Sequence, residues 1–349
     1  MKTITLTYIF ALLLVCCINA KAILSAESYK EDPIDTAALL DEGNVSADDI
    51  SNYLNFQNLK RNIPYYGDKH LDVYYNKSNV DTKKKVVIYV YGGSWVTGDK
   101  IKYTKVGALL QRNGYVAVLP DYHLYPNGTV EDMVTDIYNA INWTYNNIEN
   151  FGGDPAQIII SGHSAGSHIT ALTIVKSTLK LKNNGITLQP LPYIQKAVLL
   201  NGPYDGANNE LIAHALGTSV ENVFRDLLQL TRKNKSKSDP RQVVLFPQFL
   251  LKYFNNKSIS PVNILKSVND DSIQNGFNIG HFTFYYTSFD EIIPKSNALD
   301  FISEIDRTST KNQCSYVYQE GFKHSTLIFG IRDGEAEYEN IFLDLIKNK

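Results

Sequence analysis

Cysteine is almost missing from this 349-residue chain. Of its three cysteines, Cys16 and Cys17 fall within an apolar N-terminal stretch, which leaves Cys314 alone in the remainder. A lone thiol cannot close an internal disulfide, so a fold of this size must be stable through its core. Cys314 opens an expected strand and reads as a buried, inert thiol. An excess of either charge is also lacking. The 34 Lys and Arg against 36 Asp and Glu leave a net charge of −2, so there is no electrostatic reason to propose nucleic acid as a partner. Beyond residue 22 no apolar run is long enough to span a bilayer. Internal repeats and low-complexity segments are absent as well. No cluster has metal-ligand spacing and no glycine loop is built for phosphate, so neither a metal nor a cofactor is expected.

The N-terminus is a different kind of sequence. Lys2, an apolar run from Ile4 to Ile18 and the small-x-small site Ala20-Lys21-Ala22 have the layout of a secretory signal peptide over residues 1–22. An uncleaved anchor is the alternative. The expected address is the secretory pathway, lumenal or secreted, where the sequons at Asn44, Asn76, Asn127, Asn142, Asn234 and Asn256 permit glycosylation. From Ile23 to about Ser51 the chain is polar and acidic and reads as a surface arm.

The rest, residues 23–349, reads as one α/β domain. Strands are expected at 69–75 (an edge strand), 84–91, 115–120, around 158–160, 196–200, 282–287 and 314–319. Helical patterns at 103–112, 130–147, after Ser164, at 294–305 and at 336–346 alternate with them. In the second of these, Met133, Ile137, Ile141 and Tyr145 fall on one face. Such alternation indicates βαβ units and a mostly parallel central sheet flanked by helices. Residues 204–280 break the rhythm with helical pieces at 211–216, 220–230 and 246–253, and are expected to form a helical cap insertion over the active-site face. The basic run 231–238 within it reads as a solvated loop, with weak contact to an anionic membrane surface as the alternative. Oligomeric state is left open.

The chemistry centres on Gly162-His163-Ser164-Ala165-Gly166, a G-x-S-x-G run between an apolar strand and a helical pattern. That context is a nucleophile elbow, in which a tight turn presents Ser164 at the start of a helix. A serine needs a base, and the base an orienting group. Functional groups in an open parallel sheet gather beyond the carboxyl ends of its strands. His324, after strand 314–319, lies at that edge. His281 lies at the opposite edge, His163 and His168 are expected to be turned elsewhere by the elbow, and His70, His123 and His214 have no comparable place. Asp290, just past strand 282–287, is the expected orienting carboxylate, with Glu291 its substitute if the loop register differs by one. The order Ser164, Asp290, His324 is that of an α/β-hydrolase. The loop Gly92-Gly93-Ser94 follows an inner strand, so the N–H groups of Gly93, Ser94 and Ala165 are the expected oxyanion hole. Tyr91 would then be replaceable by His, since its side chain is given no part in that hole.

Several runs together resemble the isoprenylcysteine methylesterase family: G-G-S-W from Gly92, D-Y-H-L-Y-P from Asp121, G-T-V-E-D-M-V-T-D from Gly128, N-N-I-E-N-F-G-G-D-P from Asn146, and S-A-G-S-H from Ser164. The resemblance spans roughly residues 65–329 and is weakest through the insertion. It implies an α/β-hydrolase fold, a serine carboxylesterase that needs no cofactor, a small-molecule ester as substrate, and Trp95 as a substrate-binding residue. A prenylcysteine-type methyl ester is the substrate it suggests. Tyr91 departs from the His that many relatives carry, and a signal peptide would keep this chain from cytosolic prenylated proteins. A kynurenine formamidase-like amidase is the alternative activity, and a catalytically silent hydrolase fold used for binding is a second alternative.

Overall fold

The computed structural model describes residues 45–206, 249 and 256–348. The leader, the arm up to residue 44, and the expected cap pieces 211–216, 220–230 and 231–238 lie outside the described residues, as does 246–253 apart from Phe249. The described part of the arm is not loose. Ala47–Asn55 forms helix α1, started by a capping box between Ser46 and Asp49, with Ile50 and Tyr53 buried. Asp49 also receives the Arg332 guanidinium at 3.1 Å.

The chain continues through β1 (Leu59–Tyr66), β2 (Lys69–Tyr74), β3 (Lys84–Val90), α2 (Thr104–Arg112), β4 (Val116–Pro120) and α3 (Val130–Asn147). Next come β5 (Gly153–His163), α4 (Ala165–Thr178), a two-stranded ribbon β6 (Lys182–Asn183) and β7 (Ile186–Thr187), β8 (Lys196–Leu200) and α5 (Pro261–Lys266). The last elements are β9 (Phe282–Phe289), α6 (Ser296–Thr308), β10 (Cys314–Lys323), α7 (Thr326–Asp333) and α8 (Ala336–Lys347). Eight strands make the main sheet in the order β1-β2-β4-β3-β5-β8-β9-β10. From β4 to β10 all neighbours are parallel; β2 is antiparallel to both β1 and β4.

The 69–75 run was expected at an edge, but β2 lies inside the sheet and β1 takes the edge. β1 escapes the alternation test because it holds Lys60, Arg61 and Pro64, and its pairing is interrupted by irregularities between Lys60 and Ile63 and between Pro64 and Tyr66. β3, β4, β5 and β8 carry continuous buried apolar runs, as strands covered on both faces must. The helices fall into two groups, α3, α4, α5 and α6 against one another, and α1, α2, α7 and α8 likewise. Met133, Ile137 and Ile141 of α3 are buried as expected, whereas Tyr145 at the end of that row is 45% exposed.

After β3 the chain moves outward to β4, and after β4 it returns to the other side of β3 to make β5. The strand order therefore reverses between β3 and β5. Loops leaving the carboxyl ends of two such strands diverge and open a crevice. The loop after β3 begins at Tyr91 and the turn after β5 holds Ser164.

Candidate active site

Register places the site. His163 pairs with Leu200 across β5 and β8, and Lys323 pairs with Phe289 across β10 and β9. Ser164, Asn201, Asp290 and His324 are each the first residue beyond one of these four strand ends. They emerge side by side at one edge of the sheet. For His324 this needs a correction in the chain, because Gln319 pairs with Thr287 while Lys323 pairs with Phe289. The two extra residues on β10 form a bulge at Gly321, whose φ is 80° and whose N–H donates to Ser288 Oγ at 2.8 Å. The expected strand 314–319 thus runs on to Lys323 and delivers His324 to the edge.

Ser164 has φ 52° and ψ −121°, a strained conformation for a residue with a side chain. Its own N–H is held by the Leu200 carbonyl at 2.9 Å. The turn closes because Gly166 has no side chain: a Cβ there would lie 2.3 Å from the carbonyl oxygens of both Val90 and Tyr91. The elbow is therefore pressed against the end of β3, which seats Ser164 beside the glycine loop.

His324 Nε2 lies 2.9 Å from Ser164 Oγ, and His324 Nδ1 lies 2.8 Å from Asp290 Oδ2. Asp290 is well supplied with donors. Its Oδ1 accepts the N–H groups of Ile292 (2.9 Å) and Ile293 (2.8 Å), and its Oδ2 also accepts from Asn201 Nδ2 at 2.8 Å. Burial alone would raise this carboxyl, but the neighbouring His324 and the backbone donors outweigh it and hold Asp290 below the ordinary carboxylate range. Asp290, not Glu291, is the residue that meets the imidazole. Such an arrangement can draw a proton from Ser164 Oγ while keeping the imidazole oriented.

The loop after β3 is strained in the same way. Gly93, Ser94 and Trp95 have φ of 148°, 54° and 63°. A Cβ on Gly93 would lie 1.9 Å from the Thr97 carbonyl oxygen. The Gly93 carbonyl accepts the N–H groups of Val96 (3.1 Å) and Thr97 (3.0 Å). Ala165 opens α4, so its N–H has no acceptor within the helix.

Trp95 is 5% exposed, and its indole N–H donates to His168 Nδ1 at 3.1 Å. Its ring also packs against that of Phe249, with centroids 4.9 Å apart. Since Nδ1 of His168 accepts, Nε2 carries the proton and donates to the Ile259 carbonyl at 2.8 Å. Burial pushes His168 down to about 4. His163 does not turn away from the site as expected. Its ring lies 5.1 Å from that of His324 and its Nε2 donates to the His324 carbonyl at 3.0 Å, so it braces the backbone of His324. Burial, with the neighbouring His324, pushes His163 down to about 3. His281 bonds Ser315 and His123 bonds Asp136, both away from Ser164. Among the described residues no three His, Cys, Asp or Glu side chains are grouped to hold a metal ion.

Two participants went unseen in the sequence. Asn201 holds Asp290 and Thr287 Oγ1 (3.0 Å) through one amide. Its signal was present: it follows the buried strand 196–200, and the edge rule that selected Asp290 and His324 applies equally to it. Tyr91 was given no role for its side chain, yet it is fully buried between Tyr103 and Tyr122 and its hydroxyl donates to Asp121 Oδ1 at 3.2 Å. Replacement by His would remove the ring that Tyr103 and Tyr122 stack on and the hydroxyl that meets Asp121, which argues against the expected tolerance.

The BD-FAE family model matches residues 71–266, more than half of the chain. The chain belongs to the BD-FAE family. The isoprenylcysteine alpha-carbonyl methylesterase of Arabidopsis thaliana is 39% identical over 139 residues, covering 39% of this chain and 32% of the relative. The kynurenine formamidase of Drosophila melanogaster is 27% identical over 139 residues, covering 40% and 43%. The chain spans about a third of the length of the first curated relatives it matches. Among solved structures, esterase B from Lactobacillus rhamnosis has a TM-score of 0.58 at 14% identity, covering 86% of this chain and 89% of that one. Thermogutta terrifontis esterase 2 has a TM-score of 0.54 at 18% identity, covering 83% and 95%. The fold of this BD-FAE member is that of the α/β-hydrolases.

Proposed function

We propose that this protein is a serine carboxylesterase that cleaves a small or hydrophobic carboxylic ester through an acyl-enzyme. The observation that carries this reading is the continuous hydrogen-bonded line Ser164–His324–Asp290, set at the crevice between β3 and β5. In the first step Ser164 Oγ attacks the ester carbonyl and His324 takes its proton. The developing oxyanion is received by the N–H groups of Gly93, Ser94 and Ala165, and the collapsing intermediate expels the alcohol, protonated by His324. A water molecule, deprotonated by the same imidazole, then attacks the acyl group, releases the carboxylic acid and returns the proton to Ser164.

The ester named by the Arabidopsis relative, a carboxyl methyl ester of isoprenylcysteine, is the first substrate to try. An aryl formamide is the second reading, favoured by the likeness to the Drosophila formamidase. The leader over residues 1–22 supports entry into the secretory pathway, with cleavage leaving a mature N-terminus near Lys21 or Ile23. Recovery of Met1 on a soluble cytosolic protein would defeat that part.

The test uses purified mature protein. A fluorophosphonate should label Ser164 stoichiometrically and abolish turnover, and mass spectrometry of the adduct locates it. Short-chain p-nitrophenyl esters, prenylcysteine methyl ester and N-formylkynurenine, assayed side by side, rank the substrate classes. Label on another serine, or full activity in Ser164→Ala, would overturn the proposal.

A further inference from the structure

Two consecutive peptide units of the loop after β3 are gripped from behind by tyrosine hydroxyls. Tyr122 donates to the Tyr91 carbonyl at 2.8 Å, and Tyr103 donates to the Gly92 carbonyl at 3.2 Å. Both rings also stack on Tyr91, with centroids at 4.6 Å for Tyr122 and 5.4 Å for Tyr103, the latter nearly parallel at 7°. The Gly92 carbonyl and the Gly93 N–H belong to one planar trans peptide, so they point in opposite directions. A donor fixed on that carbonyl therefore fixes the heading of that N–H. It also polarises the unit, because hydrogen bonds in series strengthen one another. Gly93 and its neighbours are in strained conformations, and a strained loop keeps its shape only where its surroundings over-determine it.

We infer that Tyr103 and Tyr122 are positioning residues that aim and polarise the peptide N–H groups of the oxyanion loop, Tyr103 acting directly on the unit that carries the Gly93 N–H. The inference rests on the reading of Gly93 as an oxyanion donor. Neither hydroxyl touches the substrate. Their contribution appears only when negative charge develops on the substrate oxygen, so it belongs to the transition state and not to substrate binding.

Tyr103→Phe separates this role from packing. The ring still meets Tyr91 and Tyr89, and only the hydroxyl is lost. Losing one supporting hydrogen bond should lower kcat on a p-nitrophenyl ester by about five- to twentyfold, with KM within about twofold. The Kd of phenylboronic acid, which forms a tetrahedral adduct on the serine with an oxygen in the hole, should rise by the same factor as kcat/KM falls. The thermal midpoint of each variant serves as the packing control. If Tyr103→Phe does not fold, Tyr122→Phe, which frees the preceding peptide and so loosens the anchorage of the same loop, is read by the same two measurements with a smaller expected loss. An unchanged kcat and boronate affinity in a folded variant, or a change confined to KM, would overturn the inference. A wild-type protein that neither turns over esters nor binds the boronate would instead remove the proposed function on which the inference stands.

Discussion

Asp290→Asn is the substitution whose outcome the geometry constrains most. Two backbone donors, the N–H groups of Ile292 and Ile293, converge on Oδ1. In the amide variant that position must stay oxygen, because an NH2 there would face two N–H groups. The NH2 is thereby forced into the place of Oδ2, where it meets His324 Nδ1. It can only donate, so the imidazole must accept at Nδ1 and carry its proton on Nε2, facing Ser164 Oγ. A ring in that tautomer cannot take the serine's proton. Recovering the productive tautomer sets two donors against each other, at about 1–3 kcal/mol, and the imidazolium formed during reaction loses a buried carboxylate. Together these amount to roughly 4–5 kcal/mol, or a fall in kcat of three to four decades. Asn201 need not oppose the change. Its amide can turn over, since Thr287 Oγ1 both donates and accepts, so the fold should survive. Steady-state kinetics on a p-nitrophenyl ester, with urea denaturation as the control, measures both quantities. A folded variant retaining more than a tenth of wild-type kcat would refute the reasoning about the tautomer.

Gly166→Ala should destabilise the protein by at least about 2 kcal/mol in urea denaturation and remove turnover, because the new methyl would meet two carbonyl oxygens at 2.3 Å; wild-type stability would refute the close packing of elbow on strand. Ser164→Ala and His324→Ala should each abolish nearly all turnover, and the double variant should be little worse than either, since the groups act as a unit; additive losses in kcat would deny that they do. His163→Gln tests a pH dependence of stability. Burial pushes His163 down to about 3 from the model-peptide 6.5, so the unfolded chain binds the proton more readily between those values. Its stability contribution is thus complete above pH 6.5 and is lost as pH falls toward about 3. Between pH 7.5 and 5 that group should cost the wild type about 2 kcal/mol that His163→Gln does not lose. Gln can still donate to the His324 carbonyl, and comparing the two proteins in urea at both pH values cancels the other titrating groups. Identical pH slopes would remove His163 as the cause.

The inner strands were legible because burial on both faces leaves almost only apolar residues, as in V-V-I-Y-V of β3 and A-V-L-L of β8. Elements whose stability comes from elsewhere were not. β1 interrupts its own period with irregular pairing, and α1 is short and acidic, so its helix depends on a capping box and on Arg332 reaching Asp49 from the far end of the chain. The contact between Arg332 and Asp49 joins residues 283 positions apart, and no local pattern announces it. The end of β10 illustrates the same limit: the alternation stops at Gln319, while a bulge carries the pairing to Lys323.

The site divides along a similar line. Ser164, Asp290 and His324 could be named from the sequence because each combines a reactive side chain with a place just past a strand, and the two criteria together are selective. Asn201 meets the second criterion and not the first. An amide has no titration or nucleophilicity to draw notice, and its task, holding a carboxylate oxygen, exists only once β8 and β9 are paired. Tyr103 and Tyr122 meet neither. One lies in the turn before α2 and the other just past β4, yet both close on the loop after β3 because β4 is the strand beside β3. The residues proposed to do chemistry were therefore visible as types, whereas those proposed to aim them are visible only as neighbours. If the loop after β3 receives a developing oxyanion, as proposed, its N–H groups need such neighbours, since its own strained backbone would otherwise relax away from that heading.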